Sequence, residues 1–412
     1  MKPDNKKRLS KATPLLLLLL FIVAAVMAFI PRAPKIPEDA ANIEQMEQYF
    51  NDLTAYGNPS GLSFAVVKDG EIIYNKAFGL ADGPNRIPAT TQTVYHWWST
   101  TKIFTAVAIF QLQEQGLLNL DDPVVDYLPF FDVQYPSESS PVITIRHLLN
   151  HSSGLPDNVP AVVGWMHYEG QPAKDETAFL KEILPDYAKL DFEPGAKSVY
   201  TNVGYMVLGS IIETVSGQTY EDYIRQHILQ PLQMTRTDFI YTAAMNTDAA
   251  VGMHPLLDIQ SAFLPFFYGG RMDGLIREVN GGNLWFYHVL ADSNPPTGLI
   301  GPAQDLARFE GTFLNGGELD GVRILSEESV REMSNDSYLS AKSQQMEQGT
   351  QGLGWEICGQ GEHLCLEHSG GGPGYGSVIR LLPEQQLGFV LVANSTLIDG
   401  DGIMDMAMRI DW

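Results

Sequence analysis

Strand-like segments lie near both ends of this 412-residue chain, and a long helical region separates them. The first two, residues 62–67 and 71–77, flank Asp69 and Gly70 and have the pattern of a hairpin. Strand patterns then return late in the chain, at residues 353–358, 364–368, 377–382 and 387–393. If early and late strands share one sheet, the middle of the chain must form an inserted lobe. We therefore predict an α/β fold with an antiparallel sheet flanked by helices and an all-helical lobe at about residues 117–325.

The charge balance narrows the range of partners. The chain carries 26 Lys and Arg residues against 49 Asp and Glu residues, a net charge of −23. Such a surface repels nucleic acids and anionic lipids. We expect a small-molecule substrate and no nucleic-acid partner.

The N-terminus has the pattern of a targeting segment. Positive residues up to Lys11 precede an apolar run at residues 15–30. At 1.5 Å per residue this run spans only about 24 Å, which is short for a membrane helix. A cleaved signal peptide and an uncleaved inner-membrane anchor both remain open. Either one makes residues 1–34 a separate segment and residues 35–412 an exported domain in the periplasm or another extracytoplasmic space. Only an uncleaved segment would bind this domain to the membrane, and then through the N-terminus alone.

The two cysteines lie on either side of a predicted hairpin turn. Cys358 and Cys365 would face each other if the turn is centred at residues 361 and 362. In an oxidising compartment this arrangement permits a disulfide, although the spacing alone leaves free thiols equally open. His363, Cys365 and Glu367 could share one face of a strand, but no fourth zinc ligand lies nearby. We predict no metal site and no cofactor.

A candidate nucleophile opens the apolar helix predicted from Ser99 to Gln115. Ser99 and Lys102 are three residues apart and would share a helix face. A serine at the start of a helix lies at the positive end of the helix dipole, and a lysine in a dry pocket readily gives up its proton. Together they form a candidate activated nucleophile. The alternative is that Ser99 only caps a core helix.

Two further motifs carry groups that could assist such a nucleophile. Tyr200 could transfer a proton if Lys102 lies beside it, and Asn202 could hold a substrate amide, although Thr201 or Asn202 could simply cap the next helix. Residues 367–374 follow a predicted strand and are rich in glycine. Glycines let a substrate approach the strand edge, where free N–H groups stabilise an oxyanion, but a plain hairpin loop would have the same composition.

The three motifs occur in the order Ser99-x-x-Lys102, Tyr200-x-Asn202 and His368-x-Gly370. This set resembles the class C β-lactamase-like family of serine hydrolases, which includes β-lactamases, D-Ala-D-Ala carboxypeptidases and esterases. Residues 144–156, 298–308 and 352–355 are similar to the same family, and the resemblance covers about residues 38–400.

The resemblance implies a β-lactamase/transpeptidase-like fold and a mechanism through an acyl-enzyme. Ser99 would be the nucleophile, and Lys102 and Tyr200 would share the general acid and base roles. The backbone N–H groups of Ser99 and Gly371 would form the oxyanion hole. Substrate binding would fall to Asn202, His368, Gly370 and Gly371.

One departure from the family pattern bears on the substrate. Where many members have a lysine that binds a substrate carboxylate, this chain has His368. We therefore expect an esterase or amidase, with a β-lactamase or D-Ala-D-Ala carboxypeptidase as the alternative, and a non-catalytic membrane-tethered ligand-binding receptor as the alternative from another class. An aromatic-rich stretch could line an acyl pocket or pack in the core: Phe263, Phe266, Phe267, Tyr268, Trp285, Phe286 and Tyr287.

Overall fold

A computed structural model describes residues 33–156, 165–256, 272–334, 350–359 and 364–412. The predicted targeting segment lies outside these residues apart from its last two, and so do His363 and the aromatic residues 263, 266, 267 and 268. Residues 36–412 form one unit by their internal contacts. Within the described part of the chain, no helix has the length and apolar character that crossing a membrane would require.

The strands of the described residues differ greatly in length. In chain order they are β1 (Gly61–Lys68), β2 (Glu71–Asp82), β3 (Ile87–Pro88), β4 (Tyr95–His96), β5 (Met166–Tyr168), β6 (Met253–Pro255), β7 (Ile276–Asn280), β8 (Asn283–Phe286), β9 (Val289–Ala291), β10 (Ile300–Gly301), β11 (Glu318–Leu319), β12 (Val322–Arg323), β13 (Thr350–Gln351), β14 (Glu356–Ile357), β15 (Leu366–Gly372), β16 (Tyr375–Leu382) and β17 (Leu387–Ala393).

One antiparallel sheet joins the two ends of the chain. Its strand order is β13-β14-β15-β16-β17-β1-β2-β3. The first strand pairs with the last, with Leu62 opposite Ala393 and Lys68 opposite Leu387. The predicted sharing of one sheet by early and late strands is confirmed.

The helices lie on both sides of this sheet and in the segment between its two halves. They are α1 (Ile43–Tyr56), α2 (Thr101–Glu114), α3 (Val124–Tyr127), α4 (Ile145–Leu149), α5 (Glu176–Tyr187), α6 (Asn202–Ser216), α7 (Tyr220–Ile224), α8 (Met272–Leu275), α9 (Asn294–Thr297), α10 (Ala303–Leu314), α11 (Glu327–Ser334) and α12 (Gly400–Ala407), with 3-10 turns at Trp98–Thr100 and Pro383–Gln385 and a π-helical turn at Arg225–Leu229.

Successive residues of β1 point to opposite sides of the sheet, and both sides are covered. Phe64 packs in a core with Phe50 of α1 and Met404 of α12. Ala65 belongs to the other core, with Phe104 of α2 and Phe309 of α10. Burial on both faces explains why the central strands have continuous apolar sequences instead of alternating ones.

The inserted segment contains more helix than strand, but the prediction of an all-helical lobe is wrong, because the segment also contains short strands. β5 pairs with β9, and β6, β8 and β7 form a small three-stranded sheet. Segments of three to five residues are too short to show a clear period of two, so the sequence pattern did not reveal them.

The predicted apolar helix begins two residues later than expected. Ser99 lies in the 3-10 turn Trp98–Thr100, and α2 follows without a side-chain cap at Thr100. The reading of Ser99 as a plain helix cap is therefore wrong. The helix is buried on every side except at its C-terminal end, where Gly116 takes a positive φ of 69°.

The glycine-rich motif and the two cysteines belong to one edge of the main sheet. Strand β15 continues through Gly372, so the glycines extend a strand, and the alternative of a plain hairpin loop does not describe them. Cys358 and Cys365 are joined by a disulfide beside this strand, and Cys358 N donates to Cys365 O at 2.8 Å. Of the two alternatives for the cysteines, the structure has the oxidised pair.

Candidate active site

The backbone around Ser99 has a conformation that most residues avoid. Trp98 has a φ of +49°, in the left-handed region that costs energy for a residue with a side chain. Its backbone N–H donates to His96 Nδ1 at 3.2 Å, and its indole stacks on the His96 ring with centroids 3.9 Å apart. This turn leaves Ser99 partly exposed between two fully buried neighbours, Trp98 and Thr100.

Lys102 lies against Ser99 and is fully buried. Its Nζ donates to Ser99 Oγ at 3.2 Å, to Asn202 Oδ1 at 2.6 Å and to the Pro296 carbonyl oxygen at 3.1 Å. Oxygen acceptors stabilise the charged form of a buried amine against the loss of water. The predicted contact between Ser99 and Lys102 is therefore present, and Asn202 joins it.

Tyr200 lies on the same side of the site. Lys102 Nζ is 4.6 Å from the centroid of the Tyr200 ring, within range of a cation–π interaction. The His151 ring packs beside Tyr200 with centroids 4.6 Å apart, and His151 Nδ1 accepts from Thr201 N at 3.1 Å. Burial, followed by the charge of Lys102, holds the pKa of His151 well below its ordinary value.

Thr201 and Asn202 divide two roles that the sequence left as alternatives. Thr201 is the N-cap of α6, and its side chain accepts from Gly204 N at 3.4 Å. Asn202 is the first residue of that helix and turns its amide oxygen to Lys102. The cap and the site contact therefore come from adjacent residues.

Strand β15 passes directly over the Ser99 turn. A Cβ added to Gly370 would collide with the Trp97 carbonyl oxygen and lie 3.0 Å from Ser99 N. The strand is held there by Ser377 of β16, whose Oγ donates to the Trp97 carbonyl oxygen at 2.7 Å. Glycine at position 370 is therefore a steric requirement of this close approach.

His368 enters the site from β15 without a charge. Its side chain is only 2% exposed, and Nδ1 lies 2.8 Å from the Ser369 carbonyl oxygen. Burial, followed by the charge of Lys102, lowers the pKa of His368 to about 3. Because a carbonyl can only accept, Nδ1 carries the proton and Nε2 is an acceptor in the neutral ring.

Two site groups were not singled out from the sequence. His151 lies inside a stretch similar to the family, but nothing local marks its contact with Tyr200. The Pro296 carbonyl is a backbone group 194 residues from Lys102, so its contact with Lys102 cannot be predicted from a pattern of side chains.

An aromatic cleft of about 510 Å³ lies among the short strands of the inserted segment. Phe286 and Tyr287 line it, whereas Trp285 is buried and belongs to a small core.

Two of the residues considered for a zinc site have other partners. Cys365 is held in the disulfide, and Glu367 pairs with Arg380 at 2.5 Å. Within the described ranges, no three His, Cys, Asp or Glu side chains are grouped so as to hold a metal ion.

Two curated relatives match most of the chain. A putative D-alanyl-D-alanine carboxypeptidase of Escherichia coli K12 is 29% identical over 78% of this chain and 74% of its own length. Protein flp of Staphylococcus aureus MW2 is 30% identical over 82% of this chain. The chain spans 60% of the length of this second relative.

A solved structure shares the fold. The octameric penicillin-binding protein homologue from Pyrococcus abyssi is 27% identical, with a TM-score of 0.68 over 89% of this chain and 77% of that chain. The predicted β-lactamase/transpeptidase-like fold and the predicted family resemblance are both confirmed. Residues 46–409 match the Beta-lactamase family model, and the chain belongs to this family of serine hydrolases.

Proposed function

We propose that this protein is an exported hydrolase that cleaves ester or amide bonds through an acyl-enzyme at Ser99. The observation that carries the proposal is the buried Lys102 amine 3.2 Å from Ser99 Oγ. A nucleophile within hydrogen-bond distance of a base, which is itself oriented by a third group, is the general arrangement of covalent catalysis. Asn202 is that third group.

Lys102 and Tyr200 share the proton transfers in this proposal. The proton of Ser99 Oγ leaves as the oxygen attacks the substrate carbonyl, and it is returned to the leaving group when the tetrahedral intermediate collapses. Lys102 contacts Ser99 directly, and Tyr200 lies over the same amine. Lys102 can take the first proton as the neutral amine, and Tyr200 can take it as the phenolate.

The N–H groups of Ser99 and Gly371 are proposed to bind the oxyanion. The close approach of Gly370 to Ser99 N brings strand β15 beside the nucleophile. Gly371, the next residue of that strand, follows at the same edge. Preorganised N–H donors at such a position stabilise the developing negative charge.

The neutral His368 favours substrates without a required carboxylate at this point. Its Nε2 accepts a hydrogen bond and offers no positive charge, so it fits a substrate N–H or O–H group. Asn202, which contacts Lys102, offers an amide. We propose that the aromatic cleft at Phe286 and Tyr287 takes an apolar acyl group.

A D-Ala-D-Ala carboxypeptidase is the second candidate function. It is favoured by the 29% identity to the Escherichia coli relative described as a putative enzyme of this kind. The missing lysine at position 368 argues against it, because a substrate ending in a carboxylate would meet no permanent charge there.

Export is proposed on two features. The first is the positive and then apolar N-terminal sequence, which is typical of a signal peptide or an anchor. The second is the Cys358–Cys365 disulfide, which persists in oxidising compartments. On this proposal, residues 1–34 form the targeting segment and residues 35–412 the hydrolase domain.

A substrate panel on the full-length protein tests the proposed function. Hydrolysis of p-nitrophenyl esters, a chromogenic cephalosporin and a D-Ala-D-Ala peptide is compared, and esters are expected to give the highest kcat/KM. Ser99→Ala should abolish turnover and labelling by a fluorophosphonate while leaving the circular dichroism spectrum unchanged. Labelling that survives in Ser99→Ala would place the nucleophile elsewhere, and an unlabelled, inactive wild type would favour the receptor.

A further inference from the structure

The short helix α9, with the sequence Asn-Pro-Pro-Thr, delivers the Pro296 carbonyl to Lys102. The residues on either side of Lys102 in α2 also bind this segment. Thr105 Oγ1 donates to the Pro295 carbonyl at 2.6 Å, and Thr101 Oγ1 accepts from Leu299 N at 3.1 Å. The position of α9 therefore determines where one acceptor of the ammonium lies.

The N-terminal residue of α9 is held by two carboxyl groups. Glu176 Oε1 accepts from Asn294 N at 2.6 Å, and Asn294 Nδ2 donates to Glu221 Oε1 at 2.6 Å. Glu176 opens helix α5, and Glu221 belongs to α7. Asn294 thus fastens α9 to two other helices by both its backbone and its side chain.

These contacts are made in a buried and electrostatically costly environment. Glu176 is 3% exposed and Asn294 is 4% exposed. Burial, followed by the charge of Glu221, raises the pKa of Glu176 well above its ordinary value. Among the described residues, Glu176 Oε2 has no hydrogen-bond partner. Burying a carboxyl oxygen without a hydrogen-bond partner destabilises the folded protein, and such unfavourable arrangements concentrate at functional sites.

We propose that Asn294, with Glu176 and Glu221 as its anchors, is a positioning residue for catalysis. It keeps the Pro296 carbonyl on the Lys102 ammonium and so fixes the amine against Ser99. The inference rests on the proposed function, because it assigns these residues to the base of that reaction. None of the three is part of the family motifs found in the sequence.

The expected consequence is a defect in turnover rather than in substrate binding. A displaced α9 withdraws an acceptor from Lys102, and small displacements of a catalytic group cost up to about 100-fold in rate. An ammonium that loses a carbonyl acceptor also gives up its proton more easily. One limb of the pH–rate profile should therefore move to lower pH.

The other ionisable groups around Lys102 stay unchanged in this test. Tyr200 and Tyr205 lie over the amine, and His151, His368 and Glu356 interact with its charge. Substitutions at 176, 221 and 294 leave all five in place. A shifted pH limb in these variants therefore reports on a change at Lys102 or at a group that interacts with its charge.

The experiment compares Asn294→Ala and Glu176→Ala with Glu176→Gln in the full-length protein. Hydrolysis of p-nitrophenyl acetate is followed from pH 5 to 10. The two alanine variants should lose about 10- to 100-fold in kcat with KM changed by less than about threefold, and one pH limb should move down. Glu176→Gln keeps the acceptor for Asn294 N and should restore most of the rate. Glu182→Ala, at an exposed position of α5, is the matched control and should behave like the wild type.

Each outcome either supports or overturns the positioning role. Wild-type kcat and an unmoved pH profile in a folded Asn294→Ala variant would overturn it. So would a Glu176→Gln variant as slow as Glu176→Ala with both limbs in place, because the contact would then be structural. If Glu176→Ala does not fold, Glu221→Ala at a half-buried position decides by the same criteria. Fluorophosphonate labelling of Ser99 in the wild type separates failure of this inference from failure of the proposed function.

Discussion

Lys102 in the candidate active site and Glu310 in helix α10 are both fully buried, yet their surroundings differ completely. Lys102 donates to three oxygen atoms from three different parts of the chain. Among the described residues, neither carboxyl oxygen of Glu310 has a hydrogen-bond partner. Burial raises the pKa of Glu310 well above its ordinary value, and the nearby Arg380 backbone N–H offsets this only in part.

The difference shows that burial alone does not decide whether a group keeps its charge. A buried ion keeps its charge where oriented dipoles replace water, and it becomes neutral where they do not. His368 is neutral when buried, as Glu310 is, although it lies in the site with Lys102. The site therefore combines an amine surrounded by acceptors with a neutral imidazole.

The largest effect on activity is expected from removing the Lys102 amine. Lys102→Met preserves the length of the side chain but leaves Asn202 and Pro296 without their shared donor. We expect kcat/KM for p-nitrophenyl acetate to fall by about 10³-fold or more. Lys76→Met, at an exposed lysine paired with Glu47, is the control and should stay within about twofold. A variant that keeps a tenth of the activity would show that Lys102 is not the base.

A smaller effect is expected from replacing the neutral His368 by lysine. His368→Lys replaces the imidazole by an amine whose ordinary pKa is about 4 units higher, and a charge-assisted contact between that amine and a carboxylate contributes about 1.5–3 kcal/mol. The ratio of kcat/KM for a cephalosporin to that for an ester should rise about tenfold or more. His368→Gln remains neutral and should leave the ratio nearly unchanged. If the wild type already prefers the cephalosporin, the argument from the missing lysine is wrong.

The smallest effect is expected at Glu310 and concerns stability. Glu310→Met replaces the carboxyl by an apolar group of similar size, which removes an unsatisfied buried polar group at a gain of about 1 kcal/mol or more. Urea unfolding at pH 5 and pH 8 measures the gain. Glu44→Gln at an exposed position is the control.

The sign of the pH dependence follows from the raised pKa of Glu310. Above its ordinary value of 4.5, the unfolded chain releases this proton while the folded protein retains it. The free energy of unfolding therefore falls as pH rises from that value towards the folded-state pKa. The advantage of Glu310→Met should be larger at pH 8 than at pH 5. An equal advantage at both pH values would mean that Glu310 is ionised in the folded protein.

Much of the main sheet could be predicted from the sequence because its strands have strong local signals. The Asp69–Gly70 turn and the apolar runs of β16 and β17 are recognisable without tertiary context. The strand at residues 366–372 was harder, because Ser369 and three glycines have low strand propensity. Its pairing with β16 and its contact with the Ser99 turn override that propensity.

The candidate site was predictable in its side chains and not in its backbone. Ser99, Lys102, Tyr200, Asn202 and His368 form recognisable motifs, and the structure brings their elements together. The strained φ of Trp98, the contact of His151 with Tyr200 and the Pro296 carbonyl depend on tertiary packing. A sequence pattern shows which residue types are present, whereas these features depend on where the folded chain places backbone atoms and rings.

The pairing of β1 with β17 also determines when the main sheet can be completed during synthesis. Gly61 N donates to Asn394 Oδ1 across a sequence separation of 333 residues. Contacts so distant in sequence form late, since the loop between them must close first. The apolar strand β1 is made more than 300 residues before β17, so it lacks its partner on that side until β17 has left the ribosome. Until then the hairpin β1–β2 exposes an unpaired edge, so the newly made chain depends on β17 to cover a surface that would otherwise be prone to aggregation.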